Sequence, residues 1–170
     1  MYILRPDARP HGTHYYLLQS DVHIGSPQTD YDLVKAELKR AKQLKAKVRV
    51  NGDLFDLILP SDHKKYRPEA VHRRLRGRSD IVNAAVEWAC EIYADSDLEM
   101  AGSGNHDDWM LEKHSFDVIR LFCEKLGRPE AYSGYTCFVQ DKFTDEQRHT
   151  HLFTTFAHHG AGGGGSLSSA

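Results

Sequence analysis

Short apolar runs alternate along the chain with segments of helical periodicity, and this alternation limits the folds available to it. Strands are predicted at 15–21 and 47–53, and a short strand that runs into a glycine-rich loop is predicted at 98–107. Helices are predicted at 29–46, 79–95 and 115–127. Two further strands are predicted to form a hairpin, at 135–140 and 150–160. Because a sheet built from alternating strands and helices is covered by those helices, the pattern predicts an α/β layered domain (α+β layered) spanning 1–170.

A cluster of polar residues follows each of the first three predicted strands. The clusters are Asp21-Val22-His23, Gly52-Asp53-Leu54-Phe55-Asp56 and Gly104-Asn105-His106-Asp107. Ligands bind at the carboxyl ends of strands in an open α/β sheet, so these side chains are predicted to share one edge. Asp21 and His23 lie two residues apart, and an extended strand end would project both to one side as half of a metal site. Each cluster taken singly also fits an ordinary strand end or turn.

In this order, the clusters resemble the signature of the calcineurin-like metallophosphoesterase superfamily. That signature contains Asp-x-His, Gly-Asp-x-x-Asp, Gly-Asn-His-Asp/Glu, a His usually followed by Gly, and Gly-His-x-His. The first three motifs match without substitution, and His159-Gly160 matches the fourth. The resemblance covers about residues 15–162. It implies a metallophosphoesterase-type β-sandwich flanked by helices.

The resemblance also implies a set of metal ligands. Asp21 and His23 would hold one divalent metal ion, and Asp53 would bridge it to a second. Asn105 and His159 would bind the second metal ion. Mn²⁺ is the expected metal, with Fe, Zn, Ni or Mg as alternatives, because mixed nitrogen and oxygen ligands discriminate poorly among these ions.

The implied reaction is hydrolysis of a phosphomonoester or phosphodiester by a hydroxide that bridges the two metals. His106 would contact the phosphoryl group or protonate the leaving oxygen, and Asp56 would orient the imidazole of His106. The sequence leaves the choice between monoester and diester open.

Two departures from the signature matter. Leu57 stands where Ser/Thr protein phosphatases carry Arg, and Asp107 replaces their Glu, so that branch is disfavoured. Gly-His-x-His, which would supply one further ligand to each metal, does not follow His159. We therefore expect the chain to stop short of its last ligands and C-terminal elements, and this 170-residue form to be weakly active or inactive. The Gly/Ser-rich stretch at 161–170 is expected to be an active-site loop or a tail.

A basic segment at 60–78 follows the second motif. It is either a solvated charged face or a cap that presents cations to an anionic substrate. Phosphorylated small molecules, nucleotides and nucleic acid all stay open as substrates. The candidate substrate-binding residues are Arg73, Arg74, Arg76, His63 and His158.

Two other classes of function stay open. One is a non-catalytic binding or scaffold protein of the same fold, and the other is a nucleic-acid-binding module built on 63–78. The net charge of -2 provides no global attraction to nucleic acid. No apolar stretch approaches the roughly 20 residues that a membrane span needs. The absence of a secretory signal pattern and the three scattered cysteines predict the cytoplasm, of a bacterium or of a phage-infected cell.

Overall fold

The computed structural model describes residues 2–6, 9–62 and 66–160. Seven strands and four α-helices lie within these ranges, which confirms the α/β class. They are β1 (Tyr2–Leu4), β2 (Tyr16–Gln19), α1 (Tyr31–Leu44), β3 (Lys47–Asn51), α2 (Ile81–Tyr93), β4 (Asp97–Gly102), α3 (Asn105–His114), α4 (Val118–Lys125), β5 (Tyr132–Gly134), β6 (Thr136–Thr144) and β7 (Thr150–His158). Of the predicted segments, 161–170 falls outside the described residues.

The strands form two sheets. The first has the order β2-β3-β4-β5, and all of its strands are parallel. The second has the order β1-β6-β7, in which β6 and β7 form the predicted antiparallel hairpin. Parallel neighbours need crossover connections, which the helices between the strands provide. The carboxyl ends of β2, β3 and β4, where the three polar motifs begin, therefore meet at one edge.

The helices cover one face of the four-stranded sheet. Leu38 of α1, Ala85 of α2 and Phe122 of α4 are buried in the same apolar cluster as Val48 and Val50 of β3. Burying a large apolar side chain of this kind stabilises a fold by about 1.5–3 kcal/mol. This packing fixes the sheet edge on which the motifs sit.

The other face of the four-stranded sheet meets the second sheet through a buried network of charges. The Arg49 guanidinium, on β3, donates to Glu99 Oε2 at 2.8 Å and to Asp141 Oδ1 at 2.6 Å. Arg9 pairs with the same two carboxylates. The Tyr16 ring lies 4.9 Å from the Arg9 guanidinium carbon and 4.4 Å from that of Arg49. Because Glu99 is on β4 and Asp141 is on β6, these bonds fasten one sheet to the other.

The main departure from the predicted elements concerns α3. The segment after β4 was expected to be a glycine-rich loop, but a helix begins directly at Asn105. The third predicted helix was expected to begin at Ser115, which instead adopts a left-handed conformation and ends α3. Asp117 caps α4 by accepting a hydrogen bond from the Arg120 backbone N–H at 2.9 Å. The short strands β1 and β5 were not predicted, since three residues are too few to show an alternating pattern.

Replacement of Arg49 tests the importance of the charge network. Arg49→Ala leaves two buried carboxylates to share one guanidinium, so we expect the free energy of unfolding to fall by about 3–5 kcal/mol. Urea unfolding measures it. Lys47→Ala, on the same strand, removes an ion pair with Asp97 whose side chains are 35% and 46% exposed. We expect that control to cost less than about 1 kcal/mol. Equal losses in the two variants would contradict the role assigned to the network.

Candidate metal centre

The backbone at the motif edge is unusual, because three non-glycine residues have left-handed conformations. The φ angles of Asp21, His23 and Asp53 are 56°, 56° and 49°. Such conformations cost on the order of 1–3 kcal/mol each and persist where the surrounding structure imposes them. Here the Asp21 N–H donates to the Gly52 carbonyl at 3.1 Å, and the His23 N–H donates to the Asp53 carbonyl at 3.0 Å.

The expected reason for the proximity of Asp21 and His23 was wrong. Strand β2 ends at Gln19, so the two residues do not lie on an extended strand. The left-handed conformations of the two residues nevertheless bring their side chains together, with His23 Nε2 at 3.8 Å from Asp21 Oδ1. The loop geometry, not the strand alternation, produces this half of the site.

The carboxylate of Asp53 lies at the centre of the site. Its Oδ1 accepts a hydrogen bond from the His106 backbone N–H at 2.8 Å. Its Oδ2 is 3.2 Å from His159 Nε2 and 3.9 Å from His106 Nε2. The side chain is 4% exposed. One carboxylate oxygen is thus anchored by backbone, and the other faces two imidazoles.

His159 has one ring nitrogen committed to the backbone. Its Nδ1 lies 2.8 Å from the Asn51 carbonyl oxygen, which accepts only, so Nδ1 carries the proton. In the neutral ring, Nε2 then carries a lone pair. This nitrogen lies 3.2 Å from Asp53 Oδ2 and 4.0 Å from Asp21 Oδ1. In that neutral form, the imidazole nitrogen and the two carboxylate oxygens are three electron-rich atoms that converge on one point. A cation fits this arrangement, and a backbone carbonyl on the far nitrogen is a common way to orient a histidine ligand.

Two groups of ligand atoms overlap at Asp53. One contains Asp21, Asp53 and His159, and the other contains His23, Asp53 and His106; within each group the ligand atoms lie within 4.8 Å of one another. Nδ1 of His23 is buried and has no hydrogen-bond partner among the described residues. The Asp53 carboxylate belongs to both groups, so it could contact a cation in either of them. The implied pairing of Asp21 with His23 on one metal stays a prediction, since these two side chains also lie 3.8 Å apart.

His106 and Asp56 form the expected pair. His106 Nδ1 lies 3.1 Å from Asp56 Oδ1, and this hydrogen bond is the main reason why the pKa of His106 is raised. His106 and Asn105, at the start of α3, line a cavity of about 370 Å³ together with Trp109. Asn105 is exposed there, beside the ring that is expected to contact substrate.

The motif glycines are required by close packing. A Cβ on Gly52 would lie 2.5 Å from His159 Nδ1, and a Cβ on Gly104 would lie 2.1 Å from Asp53 Oδ1. Real Cβ atoms do not approach that closely, so any side chain at either position would displace a candidate ligand.

Asp107 has a role that the sequence reasoning did not assign. Its buried carboxylate accepts hydrogen bonds from the backbone N–H groups of Gly104, Phe55 and Leu54, at 3.0, 3.1 and 3.3 Å. Burial raises its pKa to about 7, although these donors favour the ionised form. It therefore joins the loop after β3 to the loop after β4. An acidic residue in the first turn of a helix is the signal that points to such a capping role.

Two of the three candidate arginines of the basic segment are bonded to groups away from the motif residues. Arg74 donates to both carboxylate oxygens of Glu91, at 2.6 and 2.7 Å. Arg76 donates to the Val71 carbonyl at 3.3 Å. Arg73 and Arg74 line a cavity beside α1 and α2. None of these three lines the cavities that contain the motif residues.

The two remaining candidates for substrate binding are histidines. His158 accepts a hydrogen bond on Nδ1 from the Gly160 N–H at 2.8 Å, and its carbonyl accepts from the Asn51 side chain at 3.1 Å. Its place in the structure is therefore at the turn that carries His159. His63 lies outside the described residues.

No family model, curated protein or solved structure matches this chain. The functional interpretation therefore depends on the geometry of the described residues. Within them, no helix has both the length and the apolar character required to cross a membrane.

Removal of Asp107 tests the link between the two loops. Asp107→Ala leaves three backbone N–H groups without their acceptor, so we expect a loss of about 3 kcal/mol or more in the free energy of unfolding. Thermal or urea unfolding measures it, and Asp107→Asn, which keeps one carbonyl oxygen, should lose less. Asp108→Ala removes the neighbouring, partly exposed carboxylate and should change stability little. An Asp107→Ala variant as stable as Asp108→Ala would refute the linking role.

Titration with Mn²⁺ tests the metal centre directly. Calorimetry should detect Mn²⁺ binding by the parent chain, and Asp53→Asn should weaken it at least about tenfold because the shared ligand loses its charge. Asp145 offers a matched control, since its carboxylate also lies between two imidazoles, those of His149 and His151, each at 3.1 Å. Asp145→Asn should leave the affinity unchanged. Equal effects of the two substitutions would place the cation elsewhere.

Proposed function

We propose that this chain is a metal-dependent phosphoesterase of the calcineurin-like type, with the corresponding β-sandwich fold, acting on a phosphomonoester or a phosphodiester. The observation that supports the proposal is the convergence of five motif side chains into two groups that share Asp53. The loops after β2 and β3, the first turn of α3 and the residue that follows β7 contribute to these groups. The motif order in the sequence is the second support.

The proposed cofactor is a pair of divalent cations, with Mn²⁺ the first choice. When bound, such a pair polarises a phosphoryl group and activates water. The residues fit it because Asp53 belongs to both groups and because the contact between His159 Nδ1 and the Asn51 carbonyl leaves Nε2 as the atom that can bind a cation. Asp21 and His23 complete the two groups on the β2 side.

His106 is proposed to contact the substrate. Its side chain is 41% exposed, whereas that of His159 is 6% exposed, which favours a substrate contact for the first and a metal-ligand role for the second. The Nδ1–H of His106 donates to Asp56, so the ring orientation is fixed and Nε2 is turned toward the metal groups. From there Nε2 can donate a proton to a phosphoryl or leaving-group oxygen.

The alternatives receive less support from the described residues. A scaffold protein has no need for three left-handed residues at one site, whereas strained backbone is common at active sites. A nucleic-acid-binding module needs free cations, but Arg74 is already paired with Glu91.

The proposed location is the cytoplasm. All three cysteines are free thiols, and Cys123 and Cys137 are buried. Burial raises the pKa of Cys123 to about 12, so this thiol is inert. Unpaired thiols of this kind are typical of a reducing compartment.

Hydrolysis of bis-p-nitrophenyl phosphate and p-nitrophenyl phosphate tests the proposal. We expect slow Mn²⁺-dependent release of p-nitrophenol, in keeping with the weak activity expected of this 170-residue form, and a further loss of about 100-fold or more in Asp53→Asn because both cations lose a ligand. His106→Asn should lower kcat, and Asp145→Asn should match the parent. Turnover that survives Asp53→Asn would refute the proposed mechanism. Mn²⁺ binding without any turnover would favour the non-catalytic alternative.

A further inference from the structure

A cavity of about 610 Å³ opens beside the candidate metal centre. Asp21, His23 and Asp56 form one side of it. A substrate whose phosphoryl group is held at the centre could therefore extend its other groups into this cavity. The opposite side is a face of α1. Of the described residues that line the cavity, four are acidic and none is Lys or Arg.

The face of α1 places two carboxylates in this cavity, Asp30 and Glu37. They are seven positions apart, or about 10 Å along the helix axis, and the apolar side chains of Leu33 and Val34 lie between them. Neither carboxylate belongs to the two groups of closely spaced side chains around Asp53. Those groups contain Asp21, His23, Asp53, His106 and His159. They therefore contribute negative charge that cations at the centre do not directly neutralise.

Both carboxylates are held in position by hydrogen bonds. Asp30 Oδ1 accepts from the Leu33 N–H at 2.9 Å, as the N-cap of α1. Glu37 Oε2 accepts from the Gln19 amide at 2.9 Å, and Gln19 in turn accepts from the Tyr93 hydroxyl at 2.8 Å. These charges are fixed, so they cannot move away from a ligand group that enters the cavity.

Among the described residues, the cations closest to this charge are Lys35, Arg73 and Arg74. They line a neighbouring cavity that meets this one at Thr29 and Asp30, and Arg74 is bound to Glu91. Arg78 is bound to Asp80 through two hydrogen bonds, at 2.8 and 2.7 Å. None of the described residues of the basic segment lines the cavity beside the metal centre, and Glu37 lies on the side away from these cations.

We propose that this cavity receives an organic group attached to the phosphorus of the substrate. We further propose that it selects an uncharged or amine-bearing group over an anionic one. The inference rests on the proposed phosphoesterase function. An anionic group would meet two carboxylates held in place by hydrogen bonds, and like charges repel. Nucleic acid and nucleoside diphosphates, which carry further phosphates, are therefore disfavoured as substrates. Small esters of polyols and amino alcohols fit.

Binding of three phosphonates of nearly equal size tests the inference without turnover. Calorimetry with the Mn²⁺-loaded chain compares 2-aminoethylphosphonate, ethylphosphonate and 2-carboxyethylphosphonate. We expect the amine to bind best and the carboxylate worst, with about tenfold between these two. Because the effect is electrostatic, the difference should shrink as salt is raised. Equal binding of the amine and the carboxylate, or a reversed order, would overturn the inference.

A double variant connects the preference to the two carboxylates. Asp30→Asn/Glu37→Gln keeps both hydrogen-bond acceptors, and Asn is also a good N-cap residue. We expect it to reduce the tenfold preference to about twofold and to leave ethylphosphonate binding unchanged. Glu124→Gln/Glu130→Gln removes two exposed acidic groups elsewhere and should behave as the parent. If the first pair changed all three ligands equally, the cavity would not be the origin of the preference.

Turnover of the matching p-nitrophenyl diesters separates this inference from the proposed function. The second ester group is 2-aminoethyl, ethyl or 2-carboxyethyl, and kcat/KM should follow the same order as binding. The expected order in binding without hydrolysis would refute the phosphoesterase proposal alone. Hydrolysis without a charge preference would overturn the selectivity alone. A failure of all three phosphonates to bind would overturn both.

Discussion

The candidate site depends on the position of one carboxylate, that of Asp53. It can occupy this position only because Gly104 has no side chain and because the His106 N–H holds Oδ1. Once Oδ1 is fixed, Oδ2 faces His159, whose ring is itself oriented by the Asn51 carbonyl. The adjacent, parallel strands β3 and β4 bring the backbone groups around Oδ1 together, so the placement of the Asp53 carboxylate depends on strand order.

The two faces of the four-stranded sheet are held to their neighbours by different kinds of interaction. Apolar side chains of the helices cover one face, while two arginines and two acids fasten the second sheet to the other. The apolar contacts supply most of the stabilisation, whereas the charge pairs require a specific geometry. β7 belongs to the second sheet, so the position of His159 relative to Asp53 depends on that geometry.

The strand–helix alternation predicted most of the fold, because period-2 and period-3.6 patterns are visible over several residues. It did not predict α3, since Gly104 and Asn105 are typical of a loop. The helix start also depends on Asp107, which accepts hydrogen bonds from Leu54 and Phe55, two residues that are distant from it in the sequence. Motif order predicted which residues converge. The grouping of His23 with His106 was not predictable, because it follows from left-handed backbone angles that non-glycine residues seldom adopt.

The buried carboxylate of Asp107 has a consequence for the dynamics of the site. It holds the Leu54 and Phe55 amides from one loop and the Gly104 amide from another. Because the three amides share one acceptor, a movement of the Asp107 side chain would free all of them, so they should exchange hydrogen together as one cooperative unit. Loosening the first turn of α3 would then release the loop that carries Asp53 as well. In the candidate metal centre, Asp53 and His106 are therefore expected to gain or lose order together.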